Sequence, residues 1–262
     1  MDLGLGGRVV LVTGGSKGIG LACARAFAAE GARVAICARG EAGLAAASRA
    51  LAAEGHEVLA LPADLAQRGA AAALVAAVEA RLGPLDVLAC CAGAARRTLP
   101  ERLDEAAWHD AMDAKYFATI HALQAALPGM RARRRGAIVN VIGQGGKVAS
   151  PSHLPGGSAN AALMLATAGL ASAHGPEGIR INAVNPGLTL TDRAQAAFIA
   201  EGERLGIPPG QARAQGEARI PLRRYGLPGE VAQVVLFLAS DRASYVTGAV
   251  VPMDGGAAAT VV

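Results

Sequence analysis

Short apolar runs alternate with helix-length segments along almost the whole chain, and this alternation limits the fold more than any other feature. Residues 8–13, 34–38, 58–62, 87–91, 137–142, 180–185 and 249–253 read as strands, each a brief and mostly apolar run. Between them, residues 17–30, 41–54, 70–82, 105–130, 159–174, 191–205 and 228–239 read as helices. The first three stop at Gly31, Gly55 and Gly83, the residue that most readily ends a helix. Strands that are apolar throughout are buried on both faces, and strict β-α-β order makes the sheet parallel. The expectation is one α/β domain over residues 1–262, with helices on both faces of the sheet. Hydrophobic residues are 52% of the chain and charged residues 18%, enough for a sizeable core. Residues 187–227 form the one long stretch expected to be irregular apart from its first helix. It leaves the carboxyl end of a strand, where a segment is well placed to cover a ligand.

The sequence Thr13-Gly14-Gly15-Ser16-Lys17-Gly18-Ile19-Gly20 joins the first strand to the first helix. Glycines at this junction permit a tight turn and let the backbone approach a pyrophosphate. The helix N-terminus then offers N–H groups and a positive dipole end. Placed there, the loop predicts dinucleotide binding. The second strand ends Ile36-Cys37-Ala38-Arg39, without the carboxylate that would hold an NAD ribose. Arg39 suits a 2′-phosphate, and Lys17 adds a second cation, so NADP(H) is expected over NAD(H). Read alone, Arg39 has the alternative reading of a solvated strand end. Asp64 is placed to accept from the adenine amino group, or to cap a helix.

Several functions are disfavoured. The net charge of +4 is scattered, and the one basic run, Arg131, Arg133, Arg134 and Arg135, reads as a solvated helix end. No aromatic residues interleave with it, so a nucleic-acid partner is not expected. The four cysteines, Cys23, Cys37, Cys90 and Cys91, have no metal-ligand spacing. They suit a reduced, cytoplasmic protein without a bound metal. No signal-peptide pattern and no membrane-spanning run is present in the sequence, so no membrane association is expected.

These motifs resemble the short-chain dehydrogenase/reductase family. The loop at 13–20 matches its TGxxxGxG fingerprint, and Asp64-Leu65 looks like its adenine-contact pair. Cys90-Cys91-Ala92-Gly93 falls where the family writes NNAG. Pro186-Gly187 with Thr191 resembles the PG-xxx-T segment at the nicotinamide carboxamide, and the tail from Pro221 to Gly256 also matches. The resemblance covers nearly the whole chain. It implies a Rossmann-type doubly wound sheet of about seven strands. It further implies a homo-oligomer, dimer or tetramer, and hydride transfer on a small-molecule substrate. The cofactor-contacting positions it implies are Gly14, Ser16, Lys17, Gly18, Ile19, Gly20, Arg39, Asp64, Leu65, Cys91, Ala92, Gly93, Pro186, Gly187 and Thr191.

The family's proton-transfer residues do not carry over. Aligning residues 157–163 with the family's YSASKAAL run puts Gly156 at the Tyr position and Asn160 at the Lys position. Gly143 falls at the Ser position, and Lys115 at the Asn of the preceding helix. No YxxxK occurs anywhere. One reading is a divergent NADP(H)-dependent reductase in which Lys115 or a substrate-bound water supplies the proton and Asn160 keeps a ribose hydrogen bond. Its substrate would be a carbonyl, an alcohol or an activated C=C. Burial lowers a lysine toward the useful range for this work. Gln144 is a further candidate, as donor to a carbonyl, and Lys147, His153 and Ser158 lie near. Other readings stay open: a cofactor-binding scaffold or redox sensor without turnover, or a redox-neutral lyase or isomerase with Lys115 as base. Lys115 also reads as a structural lysine bonding backbone carbonyls. Leu188, Leu190, Phe198 and Ile199 favour an apolar or ring-containing substrate.

Overall fold

The computed structural model describes residues 2–93, 98 and 100–259. Seven strands are present among them: β1 (Val9–Thr13), β2 (Arg33–Ala38), β3 (Val58–Pro62), β4 (Val87–Cys90), β5 (Gly136–Val141), β6 (Ile179–Pro186) and β7 (Val250–Met253). All pair in parallel, in the order β3-β2-β1-β4-β5-β6-β7. The period-two alternation of a strand sends neighbouring side chains to opposite faces. Val10 and Val12 therefore join the core under α1 (Gly18–Ala29), α2 (Glu41–Ala53) and the late helix Pro228–Ala239, with Phe27, Leu51 and Leu236. Val9 and Leu11 join the opposite core under α3 (Ala70–Leu82) and the helix Ala118–Arg133, with Leu74, Leu123 and Met130. Truncating a fully buried side chain such as Phe27 costs about 3–5 kcal/mol. The Rossmann-type doubly wound expectation is met. The strand order reverses between β1 and β4, which opens a crevice beyond their carboxyl ends.

Four differences from the sequence reading have a local physical cause. The helix expected over 105–130 is α4 (Glu105–Ala111), a π turn (Met112–Phe117) and α5 (Ala118–Arg133). Side-chain spacing over six residues does not reveal a π turn. The next helix, α6 (Leu154–His174), begins five residues before the expected 159, because Pro155 stands in its first turn, where its missing N–H costs nothing. β4 stops at Cys90, since the N–H groups of Cys91 and Ala92 both turn to Thr13 Oγ1 at 3.1 Å. After α7 (Asp192–Leu205), residues 187–227 contain a second helix, α8 (Pro209–Ala218), where irregular chain was expected. Only Ala212 of α8 is buried, so no apolar stripe announced it. Tyr225 packs against it, its phenol oxygen filling the space a side chain at Gly216 would need. The helix α9 (Pro228–Ala239) closes the series.

Candidate active site

The glycine loop lies at the carboxyl end of β1, beside the start of the crevice. Gly14 adopts φ +67°, and a Cβ there would lie 2.8 Å from the backbone of Ala92. A Cβ at Gly15 would lie 2.7 Å from Ile36 Cβ, and one at Gly20 would run into the carbonyl oxygen of Gly14. Each glycine thus removes the atom that would force the loop open. Lys17, in extended conformation, precedes α1 without giving it a side-chain cap. The first turn of α1 is left to an external acceptor, and its dipole favours an anion. This cradle fits a dinucleotide pyrophosphate.

The rest of the crevice is assembled from strand ends. Thr191 Cγ2 lies 3.3 Å from where a Cβ on Gly18 would stand, so the start of α7 is laid over the cradle. Gly187 donates its N–H to Met253 O at 3.1 Å, which ties the Pro186-Gly187 turn to β7. Asp64 accepts the N–H of Ala66 at 3.2 Å. It does not cap α3, whose N-cap is Gly69. Leu65 is buried, and its carbonyl accepts from His121 Nδ1 at 2.8 Å. Arg39 is exposed just past β2 and makes no ion pair among the described residues.

Lys115, Asn160 and Gly143 converge beside this crevice. The π turn points Lys115 inward, where its Cγ lies 3.3 Å from the place a Cβ on Gly93 would take. Lys115 Nζ donates to Asn160 Oδ1 at 3.0 Å, and Asn160 Nδ2 donates to Gly143 O at 3.0 Å. Asn160 is buried, and a Cβ on Gly146 would press within 2.9 Å of its own Cβ. The amide is locked, with its oxygen turned to the lysine. Burial, aided by the charge of Arg193, lowers the Lys115 ammonium to about 8. Both protonation states are therefore accessible near neutrality. Gly156 is buried on the first turn of α6, and Gly157 packs on Gly145.

Gln144 is already engaged: its Nε2 donates to Asp254 Oδ2 at 2.8 Å. His153 packs on Gly145, Lys147 is half-buried and Ser158 is exposed. Cys23 and Cys91 lie with sulfurs 3.9 Å apart, and burial pushes the Cys37 thiol up to about 12. Two residues of the site escaped sequence reasoning. Arg193 follows Thr191 closely, a position that was available as a signal, and Asp254 lies in the tail motif.

Comparison with known proteins follows the same outline. The family model described as enoyl-(acyl carrier protein) reductase matches residues 14–258. The cis-4-hydroxycyclohexanecarboxylate dehydrogenase of Sinomonas cyclohexanicum is 38% identical over 250 residues, 95% of this chain and 96% of that protein. An oxidoreductase of the short chain dehydrogenase/reductase family from Burkholderia thailandensis is 36% identical. It superposes with a TM-score of 0.83 over 97% of this chain and 93% of its own. The chain belongs to the short-chain dehydrogenase/reductase family. Another structure similar to this short-chain dehydrogenase/reductase is L-sorbose reductase from Gluconobacter frateurii, solved with NADPH and L-sorbose. It has a TM-score of 0.94 and 31% identity, with 100% of each chain covered. Relatives of this family member are dehydrogenases and reductases by name.

Among the described residues no helix is long and apolar enough to cross a membrane, and no cluster of metal-ligating side chains is found. The arginine run at 131–135 is spent within the molecule. Arg131 pairs with Glu177 at 2.8 Å, Arg133 donates to Leu85 O at 2.7 Å, and Arg134 donates to Pro176 O at 2.7 Å.

Proposed function

We propose that this protein is an NADP(H)-dependent oxidoreductase acting on a carbonyl/alcohol pair or an activated C=C. Its active site would be non-standard, with Gly143, Gly156 and Asn160 at the family's Ser, Tyr and Lys positions. The single observation that carries this reading is the Lys115 ammonium, held at 3.0 Å by Asn160 at the edge of the crevice and lowered to about 8. The NADPH bound by L-sorbose reductase supports the choice of cofactor.

In this reading Gly14, Ser16, Lys17, Gly18, Ile19 and Gly20 hold the pyrophosphate, while Arg39 and Lys17 meet the 2′-phosphate. Asp64 and Leu65 flank the adenine. Cys91, Ala92, Gly93, Pro186, Gly187 and Thr191 border the nicotinamide end. A nicotinamide cofactor held by these residues would supply hydride for a substrate carbonyl. Lys115 gives the matching proton to the oxygen, so that a ketone becomes a secondary alcohol, and is recharged by water. Asn160 orients Lys115. Gln144 is available to a carbonyl only by leaving Asp254. Residues 187–227 cover the substrate, where Phe198 and Tyr225 stack at 5.3 Å beside Leu188 and Leu190.

Two further parts belong to the same proposal. Trp108, Phe117 and Leu165 leave apolar side chains exposed, which a second copy of the chain would cover; sedimentation measures this. The four cysteines stand as thiols, which suits a reducing compartment such as the cytoplasm.

The deciding experiment is a fluorescence titration with NADPH and NADH, followed by absorbance while ketones and enones are added. Tight NADPH binding with oxidation by a panel member is the expected result. Tight binding without consumption by any member would replace this reading with a redox-neutral or non-catalytic one.

A further inference from the structure

Charge alone does not require lysine, and this chain rarely uses it. Of its 25 basic residues 22 are arginine and three are lysine: Lys17, Lys115 and Lys147. An arginine stays charged and holds anions at least as well. What lysine adds is an amine that can lose its proton and attack carbon. Lys17 is exposed in the glycine loop, where a cation suits phosphates, and Lys147 is half-buried just past the turn Gln144–Gly146. Lys115 has the setting in which an amine, and not merely a cation, is useful.

Its side chain lies against Gly93 and makes no ion pair among the described residues. A cation withdrawn from water is normally paired. The one hydrogen-bond partner of Lys115 among these residues is a neutral oxygen, Asn160 Oδ1 at 3.0 Å. Asn160 is itself fixed by its bond to Gly143 O, so it presents that oxygen and not its N–H groups. An acceptor takes an N–H and cannot engage a lone pair. The lone pair of the free amine is therefore left open for bonding, and burial has already brought the ammonium down to about 8. A carboxylate in place of Asn160 would have held the ammonium form instead.

We propose that Lys115 captures an α,β-unsaturated aldehyde or ketone as an imine. The capture needs no cofactor; that the C=C is then reduced rests on the function proposed above. The Nζ lone pair forms the C–N bond while the carbonyl π electrons go to oxygen. Both nitrogen protons leave with that oxygen as water, and a proton from solvent makes the imine cationic. The cationic imine draws electrons from the β carbon and makes it the electrophile. After a nicotinamide-class hydride donor has reduced that carbon, the enamine on Lys115 takes a proton at its α carbon, and water releases a saturated carbonyl and the free amine. Conjugation is essential. Hydride on the carbon bound to Nζ would leave a secondary amine that water cannot release.

The probe is cinnamaldehyde, incubated with the unmodified protein and no cofactor, with Nα-acetyl-lysine in the same tube. Cyanoborohydride traps imines as stable amines, and digestion with mass spectrometry locates them; three lysines make the map unambiguous. At neutral pH Lys115 should label roughly 10- to 100-fold faster than the free lysine derivative, whose amine is almost wholly protonated there. It should also label ahead of Lys17 and Lys147. Lys115→Arg keeps the cation and should lose this adduct alone. In parallel, an enone carrying heavy oxygen at its carbonyl should lose that label to water faster with the protein than with Lys115→Arg, since each capture and release exchanges the oxygen. Labelling of Lys115 no faster than that of the free derivative would overturn the proposal, and so would oxygen exchange that the variant leaves unchanged. An adduct at Lys115 without NADPH-dependent reduction of any conjugated carbonyl would uphold the capture and sink the hydride-transfer reading. Reduction of cinnamaldehyde with neither adduct nor exchange would do the reverse.

Discussion

Arg180 and Arg193 flank the same strand, β6, at its two ends, and they live under opposite rules. At the amino end, Arg180 donates to the carbonyls of Leu238, Ala239 and Ser240 at 2.7, 3.2 and 2.9 Å. It lines a cavity of about 340 Å³ with Arg8, Asp86, Arg135 and Asp241. There Arg8 and Arg135 both reach Asp241, at 2.9 and 3.4 Å. Every named charge around this cavity already has a partner. At the carboxyl end the glycine cradle, Arg39, Lys115 and Arg193 leave donors unspent. This cavity is therefore not the better site. A guanidinium whose donors are taken holds the fold together, whereas one with open donors binds what arrives.

This contrast can be broken at either end. The largest effect is expected from Lys115→Met, which should lower kcat/KM for carbonyl reduction by roughly 10²- to 10⁴-fold. NADPH binding, followed by fluorescence, should persist. Undiminished turnover would make Lys115 a structural residue. Next comes Arg39→Ala, expected to weaken NADP⁺ by about 10- to 100-fold while NAD⁺ changes little. Equal losses would remove the 2′-phosphate assignment. A smaller effect is the pH response. Proton donation needs the ammonium form, so reduction at saturating NADPH should fall as pH rises through about 8. Alcohol oxidation, which needs the free amine, should rise over the same range. A flat profile across that range counts against Lys115 as the acid. Smallest in kinetics is Arg180→Met, which strands carbonyls rather than ligands. It should cost roughly 1–3 kcal/mol in urea unfolding and leave the kinetic constants unchanged.

The sheet was legible because burial on both faces writes itself as continuous apolar runs. β3, α3 and α9 fall on the expected residues without change. The cradle was legible because close backbone at Gly14 and Gly20 leaves no room for a side chain. Lys115 and Asn160 could be found by their positions, but not their 3.0 Å contact, since nothing in local sequence joins the π turn to α6. The expected ribose bond of Asn160 is set against what its amide does here, which is bridge Lys115 and Gly143. α8 stayed hidden because it buries only Ala212 and so carries no apolar face.

The π turn at Met112–Phe117 has a consequence for how such a site is gained or lost. A π turn is an α-helix carrying one residue too many, and one residue in an α-helix is worth about 100° of rotation. Deleting a single residue between Ala111 and Lys115 would let α4 and α5 run on as one regular helix, and the lysine would be turned by about 100° relative to α4. The chemistry here depends on a reading frame of structure: one codon in or out, with every catalytic side chain still encoded, would switch it off.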